Sequence, residues 1–358
     1  MKRILRIIGL AVLVFLQSCS LQPAAWTPQE KPELTGAYAE NDLLTSAEWI
    51  DLEGFAGPED IAVGPDGYIY TSVHPKGNFK EGKVIKISPE GKISTFCNTG
   101  SWLAGLHFDA DGNLIGCDSQ RGLIRMSKDG TITVLAREDE NGKAILIPND
   151  VDIAKDGRIY FSSTSSRHHF SIKNARRIIL EARPDGGLYR YDPKTELVET
   201  LIDSSYFGNG VALSDKEDFV LMVDLTKYRV VRHWLKGEKK GTTDLFISNL
   251  PGLPNGISRR QDGSFWLGFT TRRSDALDKL QSKPRLKQFV FALPIWMQPK
   301  QEKFGMIMHL SANGEVIKTY YDPTGKYVSE AASVEEHDGY LYLGGDVIDH
   351  IAKYKLPD

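Results

Sequence analysis

Short runs in which apolar and polar residues alternate, bounded by Gly, Asp and Asn, recur along the whole chain. Ile61-Ala62-Val63 and Ile69-Tyr70-Thr71-Ser72 flank the pair Asp66-Gly67. The same layout returns at Asp111-Gly112, Asp156-Gly157, Ser214-Asp215-Lys216, Asp262-Gly263 and Asp338-Gly339. Period-two runs of β-branched and aromatic residues around such pairs predict antiparallel hairpins, because Asp and Gly tolerate the positive φ of a tight turn. The turn aspartates stand about 45 residues apart, with two longer steps, and further runs such as 82–87 and 92–96 bring each unit to about four strands. Six units of this kind predict an all-β, six-bladed β-propeller, which protects strand edges by radial repetition. A parallel β-helix, the competing repeat architecture, has shorter coils.

The two long steps mark insertions at about 164–187 and 272–304. The first, with Ser165-Ser166-Arg167-His168-His169-Phe170, reads as a loop between blade strands. The second carries Leu277, Leu280, Leu286, Phe289, Val290, Leu293, Ile295 and Trp296, broken by Pro284 and Pro294. That pattern predicts short amphipathic helices laid over one face between the last blades. They would serve as a lid, a surface dipping into lipid, or a packed seal.

Residues 1–18 read as a targeting segment, with Lys2, Arg3 and Arg6 ahead of an apolar run at 7–16 too short to span a bilayer comfortably. The segment ends in Leu16-Gln17-Ser18-Cys19, which resembles the lipobox of bacterial lipoproteins. That resemblance implies lipidation of Cys19 and, with Ser20 following, a place on the outer membrane facing the periplasm. Residues 19–45 hold Pro and Glu without strong periodicity and read as a tether, leaving 46–358 as the propeller.

Composition narrows the function. With 358 residues, 41% hydrophobic, the chain is long enough for a large core, and a net charge of −3 gives no electrostatic case for nucleic acid. The basic run at 236–240 is a solvated loop. No G-x-S-x-G elbow, H-E-x-x-H, C-x-x-C or P-loop is present, which removes the signatures of serine hydrolases, zincins, dithiol redox proteins and nucleotide binders. Cys97 and Cys117 are either a disulfide or two buried thiols.

The repeat also carries a chemical signal. About seven residues ahead of four of the turns stand Glu59, Asn149, Asn209 and Asn255, whereas Ala104 and Ala331 hold the matching place in the other two repeats. In a propeller the first strand of every blade lines the central channel, so these side chains converge on the axis. One carboxylate and three amide carbonyls suit Ca²⁺ or another hard divalent cation, and the lack of sulfur and imidazole argues against zinc. The alternative is a buried polar plug, which Glu59 fits poorly because an unpaired buried carboxylate is costly. His107, three residues past the axial place, is either a cavity-wall catalytic group or a satisfied core histidine. His168-His169 reads as a loop or solvent-exposed pair.

The stretches Gly57-Pro58-Glu59-Asp60, Pro148-Asn149-Asp150-Val151, Asn209-Gly210-Val211-Ala212 and Leu253-Pro254-Asn255 resemble the strictosidine synthase-like family, nearest its adipocyte plasma membrane-associated type. Residues 228–242 and 336–344 extend the match in order over about 50–355. The wider superfamily includes gluconolactonases, the senescence marker protein type and paraoxonases. The resemblance implies a lactone or ester hydrolase with an axial divalent metal. Glu59, Asn209 and Asn255 match its metal ligands, and Asn149 matches the residue that contacts substrate or completes the metal shell. Relatives carry Asp where this chain has Asn255, which lowers the site's charge. The synthase glutamate aligns with Ala332, two residues from Glu330, and disfavours condensation of an amine with an aldehyde. The expected activity is therefore hydrolysis of a small-molecule lactone or aryl or alkyl ester, with Asp150 and Asp224 as candidate bases. A non-catalytic propeller binding a small molecule or protein, with a structural metal, is the second reading. The sequence leaves the oligomeric state open.

Overall fold

The computed structural model describes residues 21–357. Residues 1–20, with the targeting segment and Cys19, lie outside the described residues. Six antiparallel sheets follow one another along the chain. Their innermost strands are Ile61–Val63, Leu103–Phe108, Pro148–Ile153, Gly208–Leu213, Gly252–Arg259 and Ser333–His337. Each of these touches the next, and the last touches the first, so the inner strands close a ring around a central channel. The fold is the expected six-bladed β-propeller.

The ring is closed by the chain's own start. Strand Glu48–Asp51 pairs with His350–Lys355 as the outer strand of the sixth blade, with Ile50 opposite Ile351. Between blades the sheets bury their apolar faces. Phe219, Phe246, Phe265 and Leu267, for example, fill the wedge between the fourth and fifth blades.

The blade turns differ in detail from the sequence expectation. At Gly67, Gly112, Gly157 and Gly263 only the glycine takes positive φ. In each of these turns the glycine N–H bonds the carbonyl three residues back, which makes a longer loop than a two-residue hairpin. Only Asp338-Gly339 places both residues at positive φ, between the paired His337 and Tyr340.

Two readings of the chain change. Residues 21–45, read as a tether, are packed on the body. Leu21 is buried, Ala24 and Trp26 donate backbone hydrogen bonds to Glu181 and Gln281, and Leu44 is fully buried against the sixth blade. The insertion at 164–187 holds a helix, α1 (Ile172–Glu181), begun by Ser171, whose side chain accepts from the Asn174 N–H. The second insertion forms the expected helices, α2 (Asp275–Gln281) and α3 (Pro284–Ala292), but inside the fifth blade, between its strands Phe265–Arg272 and Gly305–Leu310, not between the last blades. They pack with Leu21 against α1 through Leu180, Leu277, Leu280 and Phe291. Cys97 and Cys117 are buried free thiols in separate clusters.

Candidate functional site

Near the axis, four inner strands lose regular register. The breaks fall at Ala104-Gly105, Asn149-Asp150, Asn209-Gly210 and within 254–257, where Asn255 sits. In the first blade the inner strand is split, and Glu59 lies between Phe55–Ala56 and Ile61–Val63. Such bulges re-aim a side chain out of the pleat. Here they turn Glu59, Asn149, Asn209 and Asn255 toward one cavity of about 500 Å³, and all four are at most 8% exposed. The residue after the bulge must then fit between neighbouring strands. A Cβ on Gly105 would lie 2.6 Å from Asp150 Cα, and one on Gly210 would lie 2.5 Å from the Ile257 nitrogen.

In five of the six blades a second layer of the wall comes from the end of the second strand, about fifteen residues after the axial place. Ser119, Thr164, Thr270 and Asp346 stand there, and Leu225 fills the equivalent place in the fourth blade, whose turn is longer. Asn149 Nδ2 donates to Thr164 Oγ1 at 3.2 Å, and Asn255 Nδ2 donates to Thr270 Oγ1 at 2.8 Å. With the NH₂ groups engaged this way, the amide oxygens are left for the cavity. Thr164 in turn donates to the Gly208 carbonyl at 3.0 Å, which ties the third blade to the fourth.

The floor is acidic. Glu59, Asp346 and Glu330 line this part of the cavity together, close enough for their charges to act on one another. Burial pushes the Glu59 carboxyl well above its usual range, and the charges of Asp346, Asp60 and Glu330 add to that. Burial raises Asp346 as well, against the lowering effects of Glu59 and then His74, and burial plus Asp346 raise Glu330. Glu59 Oε2, Glu330 Oε2 and Asp346 Oδ1 are buried with no hydrogen-bond donor. Three buried carboxylate oxygens without donors are costly unless a cation or protons neutralise them. Among the described residues no cluster of three His, Cys, Asp or Glu is arranged as a metal site. The donor set is instead mixed, one acid with three amides, and its all-oxygen character fits a hard cation.

Above the floor the cavity is largely apolar, with Trp102, Phe170, Phe207, Leu253 and Ile348 on its walls. Helix α1 is the roof, presenting Ile172, Ala175, Arg176 and Ile179. Arg176 keeps one guanidinium nitrogen buried and without a partner. The roof is fixed from behind, since Arg167 bonds both Asp185 and Glu181, and His168 Nε2 lies 3.1 Å from Glu181.

The structure takes three sequence-predicted residues away from this cavity. Asp150 follows Asn149, so alternation along the strand points it the other way. Its carboxylate accepts from the Val151 and Val211 N–H groups, each at 2.7 Å, tying the third blade to the fourth. Asp60 does the same for its neighbours, accepting from Leu106 N–H at 2.7 Å and from the Ser333 hydroxyl at 2.9 Å. Asp150 and His107 line a smaller cavity of about 200 Å³, bordered also by Asp152 and Glu335, at the other end of the channel. His107 Nε2 lies 3.4 Å from Asp152 there. Asp224 lines neither cavity. It precedes Leu225, faces away by the same alternation, and binds Arg229 at 2.7 Å and the Tyr206 N–H at 2.8 Å.

Sequence reasoning missed Asp346, Thr164 and Thr270 as wall residues, and it set Glu330 aside. The signal was present, because the fifteen-residue offset from the axial positions recurs in the sequence as the axial positions themselves do.

Known proteins agree with this architecture. Residues 149–238 match the strictosidine synthase family model, and residues 36–75 match the strictosidine synthase-like N-terminal model. The adipocyte plasma membrane-associated protein of Mus musculus is 30% identical over 94% of this chain and 84% of its own length. Strictosidine synthase-like 3 of Arabidopsis thaliana is 27% identical over 96% of this chain and 97% of its own length. Among solved structures, a gluconolactonase from Xanthomonas campestris superposes with a TM-score of 0.62 at 17% identity, covering 94% of this chain and 98% of that one. A calcium-binding regucalcin from Agrobacterium tumefaciens gives 0.60 at 12% identity, covering 87% and 94%. At these identities the two structures bear on the fold, which they share. The chain belongs to the strictosidine synthase-like family, alongside the adipocyte plasma membrane-associated proteins.

Proposed function

We propose that the axial cavity holds a divalent cation, Ca²⁺ by its donor chemistry, and hydrolyses a small lactone or an aryl or alkyl ester. The observation that carries this reading is the meeting, in one cavity, of Glu59 and three asparagine amides with buried carboxylate oxygens that lack protein donors. Glu59, Asn149, Asn209 and Asn255 would hold the ion. A bound cation would polarise the substrate carbonyl and stabilise the charge developing on its oxygen.

The chain's own residues supply the remainder. Thr164 and Thr270 lock two amides with their oxygens toward the cavity, so little reorganisation accompanies reaction. Asp346, beside Glu59 on the wall, is placed to take a proton from water at Oδ1, the role assigned from sequence to Asp150 or Asp224. The apolar walls hold the acyl or ring portion and keep bulk water out. The unpartnered nitrogen of Arg176 in the roof favours substrates that carry an acidic group.

The test uses full-length protein stripped with chelator and reloaded. One equivalent of bound Ca²⁺ is expected, with hydrolysis of lactones and esters that disappears on stripping. Glu59→Gln should lower both binding and turnover by about 100-fold or more. No stoichiometric cation, together with unchanged hydrolysis in Glu59→Gln, sinks the proposal. A bound cation with no turnover across a broad panel marks a ligand-binding propeller instead, the reading favoured by an amide, not an acid, at Asn255.

A further inference from the structure

Among the described residues, exposed apolar side chains cluster in one segment. Of twelve large hydrophobic side chains exposed among the described residues, five lie within 286–297: Leu286 at 43%, Phe289 at 52%, Ile295 at 61%, Trp296 at 75% and Met297 at 50%. Helix α3 has its buried side occupied, with Lys287 and Phe291 packed inward. Leu286 and Phe289, three residues apart, therefore share the outward side, and the turn Ile295–Met297 continues the same surface. A patch of this kind marks an interaction site.

Two further observations identify what covers it. Between residues 283 and 303 the chain carries five cationic residues, Lys283, Arg285, Lys287, Lys300 and Lys303, against a single acid, Glu302. All but Lys287 are exposed. Aromatic and aliphatic side chains flanked by Lys and Arg suit the boundary between lipid head groups and acyl chains. The chain also enters the fold on this helix. Gln288 Nε2 donates to the Leu21 carbonyl at 3.1 Å, Lys287 Nζ donates to the Ala24 carbonyl at 2.8 Å, and Leu21 packs in the cluster of Phe291. Leu21, the first described residue, thus lies against the helix that carries the exposed patch.

We propose that this face lies on an anionic lipid surface, with Phe289, Ile295, Trp296 and Met297 dipping below the head groups. Lys283, Arg285 and Lys300 meet the lipid phosphates. Residues 301–303, which follow this surface, line the axial cavity, so the cavity mouth opens next to the lipid. Lipid-soluble ligands, those with an acidic group included, then reach the cavity from the bilayer without crossing bulk water. The inference stands whether or not the cavity holds a cation.

Intrinsic fluorescence tests this on the full chain, because Trp296 is the most exposed of the large hydrophobic side chains. The protein is reconstituted in vesicles containing anionic lipid, with or without bromine on the acyl chains. Brominated lipid is expected to quench part of the emission, that part is lost in Trp296→Phe, and vesicles shield Trp296 from aqueous acrylamide. Ile295→Ser, an exposed and therefore well-tolerated change, should shift Trp296 emission in vesicles toward the red. Quenching that is identical in Trp296→Phe overturns the proposal. So does shielding of Trp296 before vesicles are added, which would mean that a second copy of the chain or its own residues 1–20 cover the patch.

Discussion

At the scale of single residues, what an atom does here is set by parity along a strand. Asn149 and Asp150 are adjacent, yet one faces the ring cavity and the other ties two blades together. Leu225 and Asp224 divide in the same way, which is why two carboxylates attractive as bases in the sequence are structural in the fold. The threonines are the reverse case, unremarkable in sequence and decisive in place. Thr270 holds the Asn255 amide at 2.8 Å, so Thr270→Val should free that amide to rotate. The expected outcome is a loss of cation affinity of about 10–100-fold, measured by calorimetric titration, with thermal stability nearly unchanged. The family resemblance and the repeat made Glu59, Asn149, Asn209 and Asn255 legible. Asp346 was legible only as a place fifteen residues past Ala331, since its partnership with Glu59 joins the first and last blades and that offset does not report it.

At the scale of elements, each inner strand serves two ends of the channel. Its bulge delivers an axial side chain to one cavity, and the next residue either vanishes as Gly105 or Gly210 or reaches across as Asp60 or Asp150. Asp150→Ala should leave the N–H groups of Val151 and Val211 without their acceptor, at a cost of about 1–3 kcal/mol. Denaturant unfolding should show that loss while bound cation and turnover per folded molecule stay within about twofold. If Asp150 is instead the base, turnover falls steeply and stability holds. Burial, with the nearby Asp60 charge, raises the Asp150 carboxyl despite its two backbone donors, so part of this stabilisation is already offset by repulsion. The insertions are the other informative elements. The first looked like a loop because its helical stretch is short and basic, and it becomes α1 only with the cavity on one side and α2, α3 and Leu21 on the other. An isolated helix of that length is marginal in water, so packing, not propensity, decides it.

At the scale of the whole molecule, everything about the cavity depends on ring closure. Glu48–Asp51 supplies the last blade's outer strand, and residues 21–45 brace the roof and the fifth and sixth blades. Protein lacking the residues before 52 should lose its single cooperative thermal transition in calorimetry. Its amides along His350–Lys355 should also exchange faster. A truncated protein that melts once, at the parent's temperature, would contradict that role. Periodicity, turn chemistry and the four axial positions are local properties, repeated every blade, so the sequence by itself determined the architecture, the family and the residues on the axis. Tertiary structure alone decided which side of each strand a carboxylate faces. It also decided which wall residues orient the asparagines, and that the chain's first described residues lie on the roof helices. The reason is physical: a strand's period of two is written in the chain, but the meeting of residues nearly three hundred positions apart, such as Glu59 and Asp346, exists only once six blades have closed.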